Sequence, residues 1–407
     1  MKILISAYAC EPNKGSEPGV GWNWVLELSR LGHEVHVLTR RNNRENIEVG
    51  LNSVSYGGLF FHYHDLGRFF LFLKRIPLLG TNIYYAVWQL SIVPTASRIC
   101  RSYKIEAIQH LTFGVFRQPS YLWLLGRPTL VGPLGGGEET PKRFLRDLSK
   151  KNRAKEVLRA LLNRTAYLNP FFWLMCWRSQ LLLCKTKETA SFIPACYSGK
   201  TKVLLEIGIA PEKISVLPVK KISGSKLSIL YVGRFIYWKG MELGFEALKI
   251  LKDQNIDFSI TLVGKGPDEL AWRRLAEKLG FTGEQISWID WASQEELAIH
   301  YRGADVLLCP SFHDSSGNVV LEAMARGVVP VCLDCGGPAE IAGDAGLIIN
   351  SSGTLRQTAQ KLAEGLQLLA ESEERLNTLS KNAINRASAF SWRNVAGRVW
   401  PATGAVQ

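Results

Sequence analysis

The sequence predicts an α/β chain of two parallel-sheet domains, and three observations carry that expectation. Short apolar runs rich in β-branched and aromatic residues alternate with longer helical stretches, the order that βαβ units require. With 407 residues the chain exceeds what one hydrophobic core usually serves, so two domains of about 200 residues each are expected. Between Ile209 and Ser225, Ala-Pro, Leu-Pro and a polar Lys-Lys-Ile-Ser-Gly-Ser-Lys stretch read as a linker. This sets the domains at residues 1–215 and 216–388, with 389–407 as a C-terminal segment.

Taken in order, Lys2 to Ala7 reads as the first strand, Gly15 to Gly21 as a glycine loop, and Trp22 to Leu31 as an amphipathic helix stopped at Gly32. Gly19 and Gly21 are candidates for close approach of the backbone to a ligand. Their spacing is not the dinucleotide fingerprint, and no acid follows at the ribose-binding distance, so no NAD is expected. Ile76 to Ser97 carries no charge, but Pro77, Gly80, Asn82, Gln89 and Pro94 make it a buried helix pair or an interfacial segment rather than a membrane span. Ile105 to Gln109 reads as a strand with His110 at its carboxyl end; from the residues alone, His110 is either a ligand contact or a hydrogen-bonded core histidine. Pro128 to Pro133 reads the same way, and Gly135 to Gly137 after it either shape a site or form a tight turn.

The second half holds two pieces that read as one site. Leu227 to Val232 is a buried strand, and the loop Gly233 to Gly240 leaves its carboxyl end, where open α/β sheets hold ligands. Arg234 and Lys239, flanked by Gly233 and Gly240, either clamp a diphosphate or stand as solvated cations on a βα turn. Val306 to Pro310 is another buried strand, followed by a loop to Gly317 and a helix from Asn318 to Arg326 that stops at Gly327. Gly317 and Asn318 at that helix start offer free N–H groups to a phosphate. Asp314 and Glu322 place two carboxylates nearby, able to address different hydroxyls of one long ligand. A glycoside-hydrolase pair would also use two carboxylates, but it does not need the adjacent Arg/Lys clamp.

Together with Met1-Lys-Ile-Leu-Ile-Ser, Gly32-His-Glu-Val-His-Val-Leu-Thr39 and Val263-Gly-Lys-Gly-Pro267, these segments give the chain a resemblance to the family-4 glycosyltransferases. That is a retaining, nucleotide-sugar-dependent group with the GT-B fold, two facing Rossmann-like domains with parallel sheets and an interdomain cleft. The resemblance implies that Arg234 and Lys239, with Gly317 and Asn318, bind the donor diphosphate and that Glu322 contacts the ribose. It also implies that Asp314 contacts the donor sugar and that His110 lies beside the reacting carbon. Asp314 stands where Glu is usual, with a reach shorter by one methylene. The glycine loops at Gly19, Gly21, Gly135 and Gly136 would face donor or acceptor. No metal and no cofactor are expected, since protein cations can neutralise the leaving diphosphate and the sequence has no Asp-x-Asp element.

Charge separates the halves. Residues 1–220 hold 30 Lys and Arg against 15 Asp and Glu, whereas residues 221–407 hold 19 against 21. Between Lys142 and Lys187 the cations interleave with Phe171-Phe-Trp-Leu-Met-Cys-Trp177, which suits an anionic bilayer surface. No nucleic-acid motif is present. Eight scattered cysteines make no disulfide framework, and Cys332-Leu-Asp-Cys335 reads as a buried strand end. Met1 to Cys10 does not read as a signal peptide, so a cytoplasmic protein, peripheral on the inner face of the cell membrane, is expected. The function expected is transfer of a sugar from a nucleotide-sugar donor to an acceptor hydroxyl on a glycan or lipid-linked acceptor, in cell-surface polysaccharide, lipopolysaccharide or glycolipid biosynthesis. The alternatives are another GT-B enzyme, a sugar-nucleotide epimerase or phosphorylase, and a non-catalytic, membrane-associated relative.

Overall fold

The computed structural model describes residues 1–67, 70, 72, 80–215 and 226–402. Strands β1 (Lys2–Ala7), β2 (Glu34–Thr39), β3 (Leu59–Tyr63), β4 (Ala107–Thr112), β5 (Thr129–Leu134), β6 (Leu181–Cys184) and β7 (Thr201–Val203) form one sheet in the order β3-β2-β1-β4-β5-β6-β7. Strands β8 (Leu227–Val232), β9 (Phe258–Val263), β10 (Ile286–Ile289), β11 (Val306–Cys309), β12 (Val329–Leu333) and β13 (Leu347–Ile349) form a second, in the order β10-β9-β8-β11-β12-β13. Every neighbouring pair is parallel. All residues of β4, β5, β11 and β12 are buried; β11 and β12 are apolar throughout, as strands of a parallel sheet should be, whereas β4 also buries Gln109, His110 and Thr112. In each sheet the order reverses beside the first strand, between β1 and β4 and between β8 and β11.

The chain divides into two compact units. One contains Met1–Gly137, Leu161–Ile207 and the tail from Trp392; the other contains Glu138–Ala160 and Gly208–Ser391. A segment lying between β5 and β6 in sequence thus belongs with the second sheet. Its anchor is Phe144, fully buried in the cluster of Tyr231, Phe235, Phe245 and Trp272 and edge-on to Phe312 at 5.2 Å. Burying such a ring contributes about 1.5–3 kcal/mol. The tail helix Trp392–Gly397 is followed by Trp400, whose Nε1 donates to Gln109 Oε1 at 2.7 Å within the first unit. Residues 216–225 of the expected linker lie outside the described residues.

Three local expectations are corrected. The first helix runs Ser16–Arg30, so Gly19 and Gly21 lie inside it rather than in a loop before it. Packing requires both glycines there, because a Cβ would fall 2.1 Å from Lys14 O at Gly19 and 2.2 Å from Ala9 O at Gly21. Residues 80–102 form one helix through Pro94, burying Tyr84, Trp88, Ile92, Ala96 and Ile99 at helical spacing, and not a helix pair; residues 76–79 lie outside the described residues. Finally, β4 continues through His110 to Thr112, which puts the histidine inside the strand. Among the described residues, no helix is long and apolar enough to cross a membrane.

Candidate functional site

The loops after β8 and β11 leave the carboxyl ends of the two strands flanking the reversal of the second sheet, the position where open α/β sheets bind ligands. The first loop is fixed by its neighbours. Gly233 N donates to Val263 O at 3.0 Å, Phe235 N to Lys265 O at 2.9 Å, and Tyr237 N to Asp268 Oδ2 at 2.7 Å. It ends on Gly240, whose φ of +71° favours glycine and whose Cβ would fall 1.9 Å from Pro310 O. Phe312 N donates to Trp238 O at 2.8 Å, tying the first loop to the second. The second loop rests on Gly337, which donates to Asp314 O at 2.7 Å.

These constraints bring Lys239 and Asp314 into an ion pair, both side chains about four-fifths buried. Burial pulls the Lys239 proton affinity down, but the charge of Asp314 and its hydrogen bond prevail, so the ammonium is held. Arg234 is exposed, and its charge reaches Lys239. It lines a cavity of about 390 Å³ together with Lys151, Lys155, Trp238 and Asp268. Gly317, with φ +123°, precedes the helix Asn318–Met324, and the buried Asn318 Oδ1 has no hydrogen-bond partner among the described residues. Glu322, on the same helix, accepts a hydrogen bond from Tyr301 Oη at 3.2 Å, and its burial raises its carboxyl. The second unit therefore brings Arg234, Lys239 and Asp314 together, with Gly317, Asn318 and Glu322 on the adjoining helix.

The first unit holds the other candidates. His110 is fully buried; its Nε2 is hydrogen-bonded to the Tyr85 hydroxyl at 3.1 Å, and its Nδ1 has no hydrogen-bond partner among the described residues. Burial lowers its pKa to about 4, against the opposing charge of Glu17, so the ring is neutral near pH 7 and offers no exposed surface in this conformation. Glu17 pairs with Lys185 at 2.7 Å and accepts from Phe113 N at 2.9 Å. Gly135 pairs with Val115, and Gly136 has φ +92°. Among the described residues, no group of three or more His, Cys, Asp or Glu is placed to hold a metal ion.

Sequence reasoning missed a polar cluster behind the two loops. Glu156, 5% exposed, accepts from Tyr237 Oη at 2.5 Å and from Thr140 Oγ1 at 2.8 Å, with His313 Nε2 at 3.2 Å. Burial opposes the charged form, but hydrogen bonds and charge from His313, Tyr237 and Thr140 bring the carboxyl down to about 2. Ser315 Oγ donates to Glu138 Oε2 at 2.5 Å. The sequence signal was slight: Glu156 is the sole acid among six cations between Lys150 and Thr165.

Two Rossmann-like domains with these parallel sheets define a GT-B protein. The sucrose-phosphate synthase of Thermosynechococcus elongatus shares the fold, with TM-score 0.63 and 18% identity over 98% of this chain and 97% of that one. So does the Anabaena HepE protein in complex with UDP, with TM-score 0.60 and 15% identity over 98% of each chain. Residues 216–386 match the family described as glycosyl transferases group 1. Among curated relatives, the D-inositol 3-phosphate glycosyltransferase of Corynebacterium glutamicum is 28% identical over 179 residues, 42% of this chain and 41% of that protein. The match thus spans about two fifths of that relative's length.

Proposed function

We propose that the chain is a retaining, family-4-type glycosyltransferase that moves a sugar from a nucleotide-sugar donor to an acceptor hydroxyl. The Lys239–Asp314 pair at the strand-order reversal, with Arg234 beside it, carries this reading. A UDP-bound protein of the same fold and the family match of the second domain support it. A diphosphate arriving at Arg234 and Lys239 competes with Asp314 for the ammonium, and the released carboxylate then addresses the sugar hydroxyls. As the glycosidic bond breaks, the two cations hold the charge growing on the leaving diphosphate, and Glu322 takes the ribose. The acceptor hydroxyl attacks from the face the diphosphate leaves, giving retention. No protein nucleophile and no metal enter this scheme. His110 is the candidate for orienting the donor sugar, and its neutral form leaves Nδ1 for a hydroxyl.

The acceptor is a membrane-bound glycan or lipid in cell-surface polysaccharide, lipopolysaccharide or glycolipid synthesis, and the protein is cytoplasmic and peripheral on the inner face of the membrane. In the first unit, Leu161, Leu162, Leu168, Phe171, Trp173 and Trp177 are exposed, Leu168 at 82%, with Arg164 and Arg178 in the same stretch, which supports an anionic lipid surface. The test is transfer from a panel of UDP-, GDP- and ADP-sugars to lipid-linked acceptors, with product configuration read by NMR. A product with the donor's anomeric configuration is expected; an inverted product would remove the retaining mechanism, and the absence of transfer from every donor would remove the reading.

A further inference from the structure

Helix Lys150–Thr165 inverts the usual pattern of burial. Between positions 150 and 162 its sole buried residue is Glu156, while Val157 and Leu158 stand 54% and 55% exposed. This stretch docks through a carboxylate. A carboxylate taken out of water is a weak source of stability even when it is paired, since apolar replacements often hold a fold as well. A buried carboxylate kept here therefore has to be explained by what it holds in place.

Its partners give the answer. Tyr237 lies two residues before Lys239, and His313 lies one residue before Asp314, so a single carboxylate grips the chain beside both members of the ion pair. His313 is also stacked on Trp238, ring centroids 5.6 Å apart and planes 16° from parallel. On the far side of Asp314, Ser315 is held by Glu138 of the same segment, itself 1% exposed. Asp314 is thus flanked on both sides by residues tied to segment 138–160, and its own carbonyl is tied to Gly337.

We propose that Glu156 is a positioning residue for the donor site, holding the loops that carry Lys239 and Asp314 in register through Tyr237 and His313. The inference rests on the donor-site reading above. Its consequence falls more on sugar recognition than on the diphosphate, because His313 adjoins the sugar-facing Asp314, whereas Arg234 binds phosphate from the exposed rim. A general loosening of the fold would weaken both alike.

The test uses the full chain, with calorimetric titration of the responding nucleoside diphosphate among UDP, GDP and ADP and of its sugar conjugate, beside near-UV circular dichroism. Glu156→Gln keeps an acceptor for Tyr237 and Thr140 but loses the charge facing His313. It is expected to weaken the sugar conjugate at least tenfold and the bare diphosphate no more than threefold. Should that variant fold poorly, His313→Asn removes the Glu156 contact beside Asp314 and is expected to shift the same ratio in the same direction. An unchanged ratio in the folded variants overturns the proposal while leaving the donor site standing. No response of the unaltered chain to any of these nucleotides overturns the donor-site reading, and this inference with it.

Discussion

Lys239 keeps its proton despite burial because Asp314 lies beside it, and that balance makes both cations of the first loop accountable to experiment. Each charge-assisted contact to a diphosphate contributes about 1.5–3 kcal/mol, so Arg234→Ala and Lys239→Ala should each weaken nucleoside diphosphate binding roughly 10- to 150-fold by calorimetry. Unchanged affinity in both would remove the clamp. His110 offers a different check. Burial holds the folded ring neutral down to about 4, whereas an unfolded histidine takes a proton near pH ~6.5. The unfolded state thus binds more protons between about pH 6.5 and 4, and stability falls on acidification through that window by roughly 3 kcal/mol at most. His62, also lowered to about 4 by burial and His36, acts in the same direction. Urea denaturation across this window should show a shallower loss in His110→Gln; an identical slope would contradict the buried neutral ring. Arg234, Lys239, Asp314 and Glu322 were legible because their spacing on strand-loop-helix units is local. Glu156 was not, because its partners lie 81 and 157 residues away and nothing local marks it.

The two loops are fitted together by close backbone approach at glycine. Gly240 combines φ +71° with a Cβ position 1.9 Å from Pro310 O, so Gly240→Ala must both strain the backbone and push the end of β11. The conformational strain alone is about 1–3 kcal/mol, and the overlap adds to it. Gly283 has open space around its Cβ position and no left-handed φ, so Gly283→Ala should change stability by no more than about 0.5 kcal/mol. Urea denaturation of the two variants tests the pair; equal stabilities would mean that the loops are not locked as described. Strand positions were readable from short runs rich in apolar and β-branched residues, although the end of β4 was not, because it buries the polar Gln109, His110 and Thr112. Helix starts were less so. Pro18 and the two glycines obscured the opening of helix Ser16–Arg30, because the glycines answer to packing against Ala9 and Lys14 rather than to helix propensity.

The chain's charge is unevenly shared, with the excess of cations lying in residues 1–220. If the exposed aromatic and basic stretch 161–178 meets lipid, co-sedimentation should rise with the fraction of anionic lipid and fall with salt, at about 1 kcal/mol for each cation near the surface. Trp177→Ala with Arg178→Ala should reduce it, and binding independent of anionic lipid would contradict the surface. Two parallel sheets were expected from alternation, chain length and the linker composition, but the placement of segment 138–160 with the second unit was hidden, because Phe144 packs with Tyr231, Phe235, Phe245 and Trp272, far along the chain. The most direct measurement is calorimetry of the purified chain with UDP, GDP and ADP, with and without EDTA, beside Arg234→Ala. Binding of one nucleotide that survives EDTA and is weakened roughly tenfold or more in Arg234→Ala is the result predicted. Binding that needs a metal, or that ignores Arg234, would contradict the account.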